Sequence, residues 1–430
     1  MSLTLVLSPE SYPWDLAKEK TFLEQEVEVL ARTDAKLVLL PQRTGGERLE
    51  VPAGVEVDDS LARETAVLSR RHLIFHAAQT TLVAEEALRR GRELRNPVNL
   101  KRVVEYAGRT HHAMGFAKRY LARRGWTNER VVFASTWWGP ITTGFGLAAR
   151  GLPRLRVVSR AHGFDLYEDR HTPPYQPCRH RALASVHGLF PDSDTGTNWL
   201  KDTYRSVPRK TETARLGIFD PHVVSRPSSD GVLRVVTCSL QVAVKRLDLL
   251  IDGLAKAGAQ GARIEWAHHG TGPLQPALEE QARRVLPPNV KATFVGYSTQ
   301  QELYRWYADH PVDVFVNVSS SEGTPVAAME AIACGIPMLV TSVGGNPEIC
   351  RPENGVRVSA NPSAEEVGAA LLRFASAEAQ AWRAGSLKVW RERYDAEANF
   401  RAWFDTLKSV HGDIWFSGYR PAMVVLAFHR

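Results

Sequence analysis

Two glutamates and the loop between them carry the clearest chemistry in this chain. In VDVFVNVSSSEGTPVAAMEAIACGIPMLVTSVGGNPE (312 to 348), Glu322 lies in the polar loop Ser319-Ser320-Ser321-Glu322-Gly323-Thr324, and Glu330 follows eight residues later. A buried apolar run precedes the loop, and Pro325 is well placed as the first residue of a helix. Such a loop and helix start offer free backbone N–H groups with the positive end of the helix dipole behind them, a setting suited to a phosphate or pyrophosphate. Glu330 falls about 1.5 turns into that helix, where its carboxylate can accept hydrogen bonds from a pair of ribose hydroxyls. Glu322 is expected to be free to point at whatever the diphosphate carries. Plain stabilisation of a helix N-terminus explains two acids at this spacing equally well, so spacing alone leaves both explanations standing.

Other side chains join them. Lys245 sits after a strand pattern and near a helix start, where an ammonium can neutralise a departing diphosphate. Gly270, Gly272 and Pro273 form a turn after one strand and Gly296 ends another, although turn chemistry alone accounts for each. Trp137 and Trp138 follow the RVVFAST strand directly, where an indole can stack on a sugar or belong to the core. Three further groups are weighed as metal ligands and set aside. Asp192-Ser193-Asp194 is a DxD triplet, His162, His171, Cys178 and His180 have ligand composition with irregular spacing, and the pairs His111-His112 and His268-His269 point adjacent side chains apart. No metal site and no cofactor are expected.

The elements that position these residues alternate. Apolar β-rich runs at 4 to 8, 36 to 41, 130 to 136 and 154 to 160 are separated by helical patterns such as TFLEQEVEVLAR and a long helix opened by Asn96-Pro97. After the polar stretch DPHVVSRPSSDG (220 to 231) the alternation restarts, with strands at 233 to 239, 263 to 270, 290 to 296, 312 to 319, 336 to 341 and 355 to 359. Two α/β units in tandem imply a cleft where ligands bind beyond the carboxyl ends of the strands. The boundary is placed at 219/220, giving domains 1–219 and 220–390.

The block around Glu322 resembles the nucleotide-sugar-binding half of the family 4 retaining glycosyltransferases of the GT-B fold, whose Glu-x7-Glu motif corresponds to Glu322 and Glu330. CSLQVAVKRLDLLIDGL (238 to 254), HHGTGPLQPAL (268 to 278), FVGYSTQQELYRWY (294 to 307) and TSVGGNPEI (341 to 349) match in order, as do SRAHGFDLYEDR (159 to 170) and FPDSDTGTNWLKDTY (190 to 204) in the first half. The likeness extends to bacterial members that build surface and capsular polysaccharides. It implies two Rossmann-like domains facing across a cleft, with a segment from about 390 to 430 crossing back onto the first.

By the same resemblance Glu330 holds the nucleotide ribose, Glu322 contacts the donor sugar, Lys245 stabilises the diphosphate, and His162 is presented across the cleft as a catalytic group. Gly270, Gly272, Gly296, Gly323, Thr324 and Pro325 border the donor, and Trp137, Trp138 and Asp165 stand on the acceptor side. Leu240 occupies the place where the family has an arginine, which makes Arg246 the candidate second cation. The glycine pair usual after the first strand is replaced by SPESYPWDLAKEKTFLEQE. The resemblance implies retention of configuration and transfer from a nucleoside-diphosphate sugar to a saccharide or lipid-diphosphate-linked saccharide. A GT-B epimerase needing no acceptor and a silent sugar-binding subunit are the alternatives.

Composition bounds the rest. At 430 residues, 44% hydrophobic and 23% charged, the chain can build two or three cores, and four scattered cysteines exclude a disulfide scaffold. The net charge is +7 and the pI about 9.2. The excess is local: residues 61 to 150 hold 16 Lys/Arg against 6 Asp/Glu. A solvated helix face accounts for this, as does a surface that meets anionic lipid; no motif for nucleic acid accompanies it. The start MSLTLVLSPESYPWD is no signal peptide and no run is long enough to span a bilayer, so the expectation is a cytoplasmic protein, peripheral at the inner membrane face if it touches lipid. The apolar tail IWFSGYRPAMVVLAFHR fits either a domain surface or a membrane.

Overall fold

The computed structural model describes residues 3–16, 19–204 and 210–410. The apolar tail lies outside the described residues. Alternation of strands and helices produces two sheets, and every strand pair in both is parallel.

The first sheet contains β1 (Thr4–Ser8), β2 (Lys36–Leu39), β3 (Glu56–Val57), β4 (Val131–Ser135), β5 (Leu155–Ala161), β6 (Gly188–Pro191) and β7 (Lys210–Thr211), in the order β3-β2-β1-β4-β5-β6-β7. The second contains β8 (Leu233–Cys238), β9 (Ile264–His269), β10 (Val290–Gly296), β11 (Val314–Asn317), β12 (Met338–Thr341) and β13 (Gly355–Val358), in the order β10-β9-β8-β11-β12-β13. Both orders reverse direction once, at β1/β4 and at β8/β11. Adjacent loops diverge to opposite faces there and leave a crevice beyond the strand ends.

Burial on both faces explains the near-continuous apolar strands. Along β1, Leu5 and Leu7 join one core cluster while Val6 joins the other, as a period of two requires. Phe315 of β11 likewise faces one cluster and Val314 and Val316 the other. Three helices, Ser60–Ala66, Arg70–Ala78 and Leu82–Arg90, form a layer against the long helix Pro97–Arg123. The polar stretch 220 to 231, which follows the expected boundary, is tied to the second domain. Val312 N donates to Arg226 O at 2.8 Å, and the Ser228 hydroxyl to Asp313 at 2.6 Å.

The chain returns to the first domain near its end. Helix Ala377–Arg393 places Val389 and Trp390 in the core beneath β11, whereas helix Ala396–Ser409 places Trp403, Phe404 and Leu407 with Leu5 and Leu7 of β1. Between them Asp395 bridges to Ile218, with Ile218 N donating to Tyr394 O at 2.8 Å and the Trp390 indole donating to Ile218 O at 3.0 Å. All four cysteines are free. Among the described residues no helix is long and apolar enough to cross a membrane.

Candidate active site

Lys245 follows β8 and Glu322 follows β11, so the order reversal of the second sheet brings together two residues 77 positions apart. A 3-10 turn, Ala243–Lys245, directs the lysine toward the crevice before helix Leu247–Ala259 begins. Its Nζ lies 2.5 Å from Glu322 Oε1, which also accepts from Ser319 Oγ at 2.7 Å and Asn317 Nδ2 at 3.1 Å. Glu322 is therefore not free as its loop position suggested: its carboxylate is buried and held by three donors. Arg246, the expected second cation, is committed elsewhere. Its guanidinium donates to Val318 O at 2.7 Å and to Ser319 O and Ala360 O at 2.9 Å, fastening the loop instead of facing a diphosphate.

Pro325 stands one residue earlier than expected, capping helix Val326–Ala333 from an extended conformation, and no side chain caps that N-terminus. Glu330, one turn inside, is buried and accepts from Gln300 Nε2 at 2.7 Å. Burial pushes its carboxyl up to about 7 against the smaller, opposite effect of the Gln300 bond. Gly270, at φ +136, lies against Ser239 O, which a Cβ would approach to 1.9 Å, and Gly272 backs onto Gln241 in the same way. Both glycines thus seat the 239 to 241 loop that carries Leu240. Gly270 N donates to Gly296 O at 2.7 Å, and Gly296 itself has open space around it.

The 322 to 324 loop is held from behind by Gly344 and Gly345, which motif spacing did not single out. Gly345 N donates to Gly323 O at 3.1 Å, and Gly344, at φ +51, has Glu322 O where a Cβ would come to 1.9 Å. Replacing Gly344 by alanine combines a backbone clash with a disfavoured φ. The expected loss is more than about 1 kcal/mol of stability together with a displaced Glu322, read as a lower melting temperature and weaker nucleotide binding.

The first sheet supplies the facing half. His162 ends β5 and caps the short helix Gly163–Leu166. Its Nδ1 lies 2.9 Å from Asp192 Oδ2, at the end of β6, and its buried Nε2 has no partner. Burial opposes a charged imidazole, but hydrogen bonding and Coulomb attraction to Asp192 outweigh it, and His162 titrates above its ordinary value. Asp165, expected on the acceptor side, is engaged within the first domain. It is buried, its two oxygens accept from His162 N at 2.6 Å and Trp138 N at 2.5 Å, and burial lifts its carboxyl to about 6 despite those bonds.

The two tryptophans diverge. Trp138, at 2% exposure, belongs to the core beneath the Arg179 guanidinium, so it offers no face to a sugar. Trp137 packs on the His162 ring at 4.7 Å and donates from its indole to Glu19 Oε1 at 2.6 Å. Glu19 is almost wholly buried and also accepts from the backbone N–H of Glu10, Ser11 and Tyr12. This carboxylate organises the loop that replaces the glycine pair.

The halves meet directly. A Cβ on Gly163 would lie 3.5 Å from Gly323 Cα, and Thr324 Oγ1 donates to Asp192 O at 3.3 Å. Glu348 reaches across to the start of helix Asp194–Thr203, accepting from Asp194 N at 3.0 Å and Thr195 N at 2.8 Å, while Arg215 and Arg393 flank it at 3.4 Å each. A cavity of about 660 Å³ opens between Tyr167, Trp199 and Tyr204 on one side and Glu322 and Gly344 on the other. The Asp192 and Asp194 carboxylates face different partners, His162 for the first and Thr213, Arg215 and Arg393 for the second. His171 turns to Phe164 O, Cys178 is buried, and His180 packs on Tyr204, so these do not converge with His162.

Residues 233–377, which carry Lys245, Glu322 and Glu330, match the family model described as glycosyl transferases group 1. The match covers about a third of the chain. The chain is 26% identical over 231 residues to the colanic acid biosynthesis glycosyltransferase WcaL of Escherichia coli K12, covering 49% of this chain and 55% of that one. To the amylovoran biosynthesis glycosyltransferase AmsK of Erwinia amylovora it is 27% identical over 178 residues, 40% of this chain and 43% of that one. The chain thus spans about half the length of the curated relatives it matches.

Among solved structures, the lipopolysaccharide outer core galactosyltransferase WaaB superposes with a TM-score of 0.66 at 13% identity, over 94% of this chain and 99% of that one. Anabaena HepE in complex with UDP gives 0.60 at 15% identity, over 95% and 100%. The fold is GT-B, two Rossmann-like domains, as the motifs led one to expect. Within the matched residues the Lys245–Glu322 pair occupies the order reversal of the sheet, the place where such sheets take nucleotides.

Proposed function

We propose that the protein is a retaining glycosyltransferase that moves a sugar from a nucleoside-diphosphate sugar to a hydroxyl of a saccharide or lipid-linked saccharide during surface polysaccharide synthesis. The observation that carries this reading is the Lys245–Glu322 pair at the β8/β11 crevice, set opposite the His162–Asp192 pair at the ends of β5 and β6. Lys245 and the uncapped start of helix Val326–Ala333 favour a diphosphate, Glu330 takes the ribose hydroxyls, and Glu322 meets the donor sugar. The bond from the anomeric carbon to the diphosphate breaks as an oxocarbenium-like centre forms. The acceptor oxygen then bonds to the same face and its proton passes to the departing diphosphate. We assign the first domain's part in that chemistry to His162, whose buried Nε2 has no partner.

The names of the relatives, for colanic acid and amylovoran synthesis, support a surface polysaccharide, and the UDP held by HepE makes UDP the first donor base to try. Transfer without a metal is part of the proposal, since Lys245 supplies the cation and both aspartates of the DxD triplet are engaged by other groups. A cytoplasmic site of action, peripheral to the membrane, follows from a lipid-linked acceptor.

A thermal-shift screen against UDP-, GDP-, dTDP- and ADP-sugars, with and without magnesium or a chelator, tests the reading. One nucleotide class at 100 times its dissociation constant is expected to stabilise the protein by about 2.7 kcal/mol whether or not metal is present. No shift with any nucleotide defeats the proposal, and a shift that a chelator abolishes defeats its metal-free form.

A further inference from the structure

The surplus of basic residues and an outward apolar face coincide on one helix of the first domain. Helix Arg70–Ala78 buries Leu73 and Ala77, four residues apart, toward helix Pro97–Arg123. The seating is close, since a Cβ on Gly108 would lie 2.3 Å from Leu73 O. That contact determines which face looks outward: Arg70, Arg71, Ile74 and Phe75, all exposed. Ile74 is 60% and Phe75 64% exposed, and Val67, just before the helix, is 72% exposed.

A helix lying on a domain ordinarily shows polar groups on its outer face. Here two large apolar side chains stand out with two arginines beside them, and among the described residues neither arginine has a carboxylate partner. The surrounding segment, residues 61 to 150, carries 16 Lys/Arg against 6 Asp/Glu. Cations around a short, outward apolar tip match an interfacial helix whose apolar residues enter the headgroup boundary while arginines meet lipid phosphates. An acidic protein partner gives the arginines a role but leaves three projecting apolar side chains without one.

We propose that Arg70, Arg71, Ile74 and Phe75, with Val67, form the surface by which the protein docks on an anionic lipid bilayer. The proposal rests on the membrane location inferred above and names the face that achieves it. Flotation of the full chain with phosphatidylcholine vesicles, with and without phosphatidylglycerol, tests it, and the nucleotide-induced thermal shift is measured on the same samples.

The wild type is expected to float with anionic vesicles and to stay behind with neutral ones. The double variant R70Q/R71Q is expected to bind anionic vesicles about 25-fold more weakly, at about 1 kcal/mol per lost cation. I74S/F75S is expected to bind about tenfold more weakly or worse. Both variants should keep the nucleotide-induced shift. Failure of the wild type to float, or variants that float as it does, overturns the docking surface; if the nucleotide shift is intact in that result, the glycosyltransferase reading survives.

Discussion

Lys245→Ala is expected to lower turnover by about a hundred- to a thousandfold. The side chain is the cation that pairs with Glu322 at the crevice, whereas Arg246 is spent on the carbonyls of Val318, Ser319 and Ala360 and the position of the family's arginine is Leu240. Removing a pre-positioned donor from a developing anion costs about 2.7–4 kcal/mol of transition-state stabilisation, which is the factor given. A second effect adds to it. Glu322 keeps Ser319 and Asn317 as donors but loses its cation, leaving a buried carboxylate partly paired. Negative charge then gathers where the diphosphate must sit, so donor affinity falls together with turnover. Steady-state rates with the donor identified by thermal shift, and the size of that shift in the variant, read the two effects separately. Lys245→Arg restores charge without the same reach and should recover only part of the loss. A folded Lys245→Ala protein with unchanged turnover removes the lysine from the mechanism.

The sequence made Glu322, Glu330 and Lys245 legible for a definable reason. Lys245 and Glu322 follow strand-like runs and Glu330 lies in the helix that comes next, and a parallel sheet places such positions on one edge. Side-chain partners reached through tertiary structure were not legible. Asp192 belongs to a DxD triplet set aside as a metal site, and no local pattern reports that it holds His162, 30 residues away. Glu19 is not singled out by any motif, and its binding of the preceding loop and of Trp137 arises only when β1 and β4 lie side by side. Adjacent tryptophans had to point differently, but which one entered the core depended on Arg179 and helix Pro140–Ala149 closing over Trp138. Arg246 was misread because a guanidinium can serve carbonyls as well as phosphates, and spacing does not choose between them.

The contacts across the cleft add a mechanical element that the motifs concealed. Glu348 belongs to the GGNPE run of the second domain, while the N–H groups it accepts from open a helix of the first, with Arg215 and Arg393 beside it. Arg393 also precedes the return of the chain at Asp395. One carboxylate therefore ties together both domains and the crossing segment.

The His162–Asp192 pair yields a pH-dependent expectation. At present burial opposes the imidazolium, and the Asp192 carboxylate outweighs it, so the folded pKa lies above the ordinary 6.5. The sign follows directly. A raised histidine pKa contributes stability that is fully present below the unfolded value and is lost as pH rises through the folded one. Asp192→Asn removes the charge but keeps the shape, leaving burial, the neighbouring Arg160 and the remaining Asp165 to set the balance. His162 should then titrate below its former value, and the donor–acceptor preference of its Nδ1 is no longer enforced. Turnover is expected to fall by about a hundredfold, the scale of losing one pre-positioned hydrogen-bond donor at the reacting centre, with a smaller change in nucleotide affinity because Lys245 and Glu330 are untouched. The limb of the rate profile governed by His162 should move to lower pH, and titration of its ring protons by NMR should move with it. Loss of turnover without movement of the limb would mean that the Asp192 carboxylate supports the fold rather than the chemistry through His162.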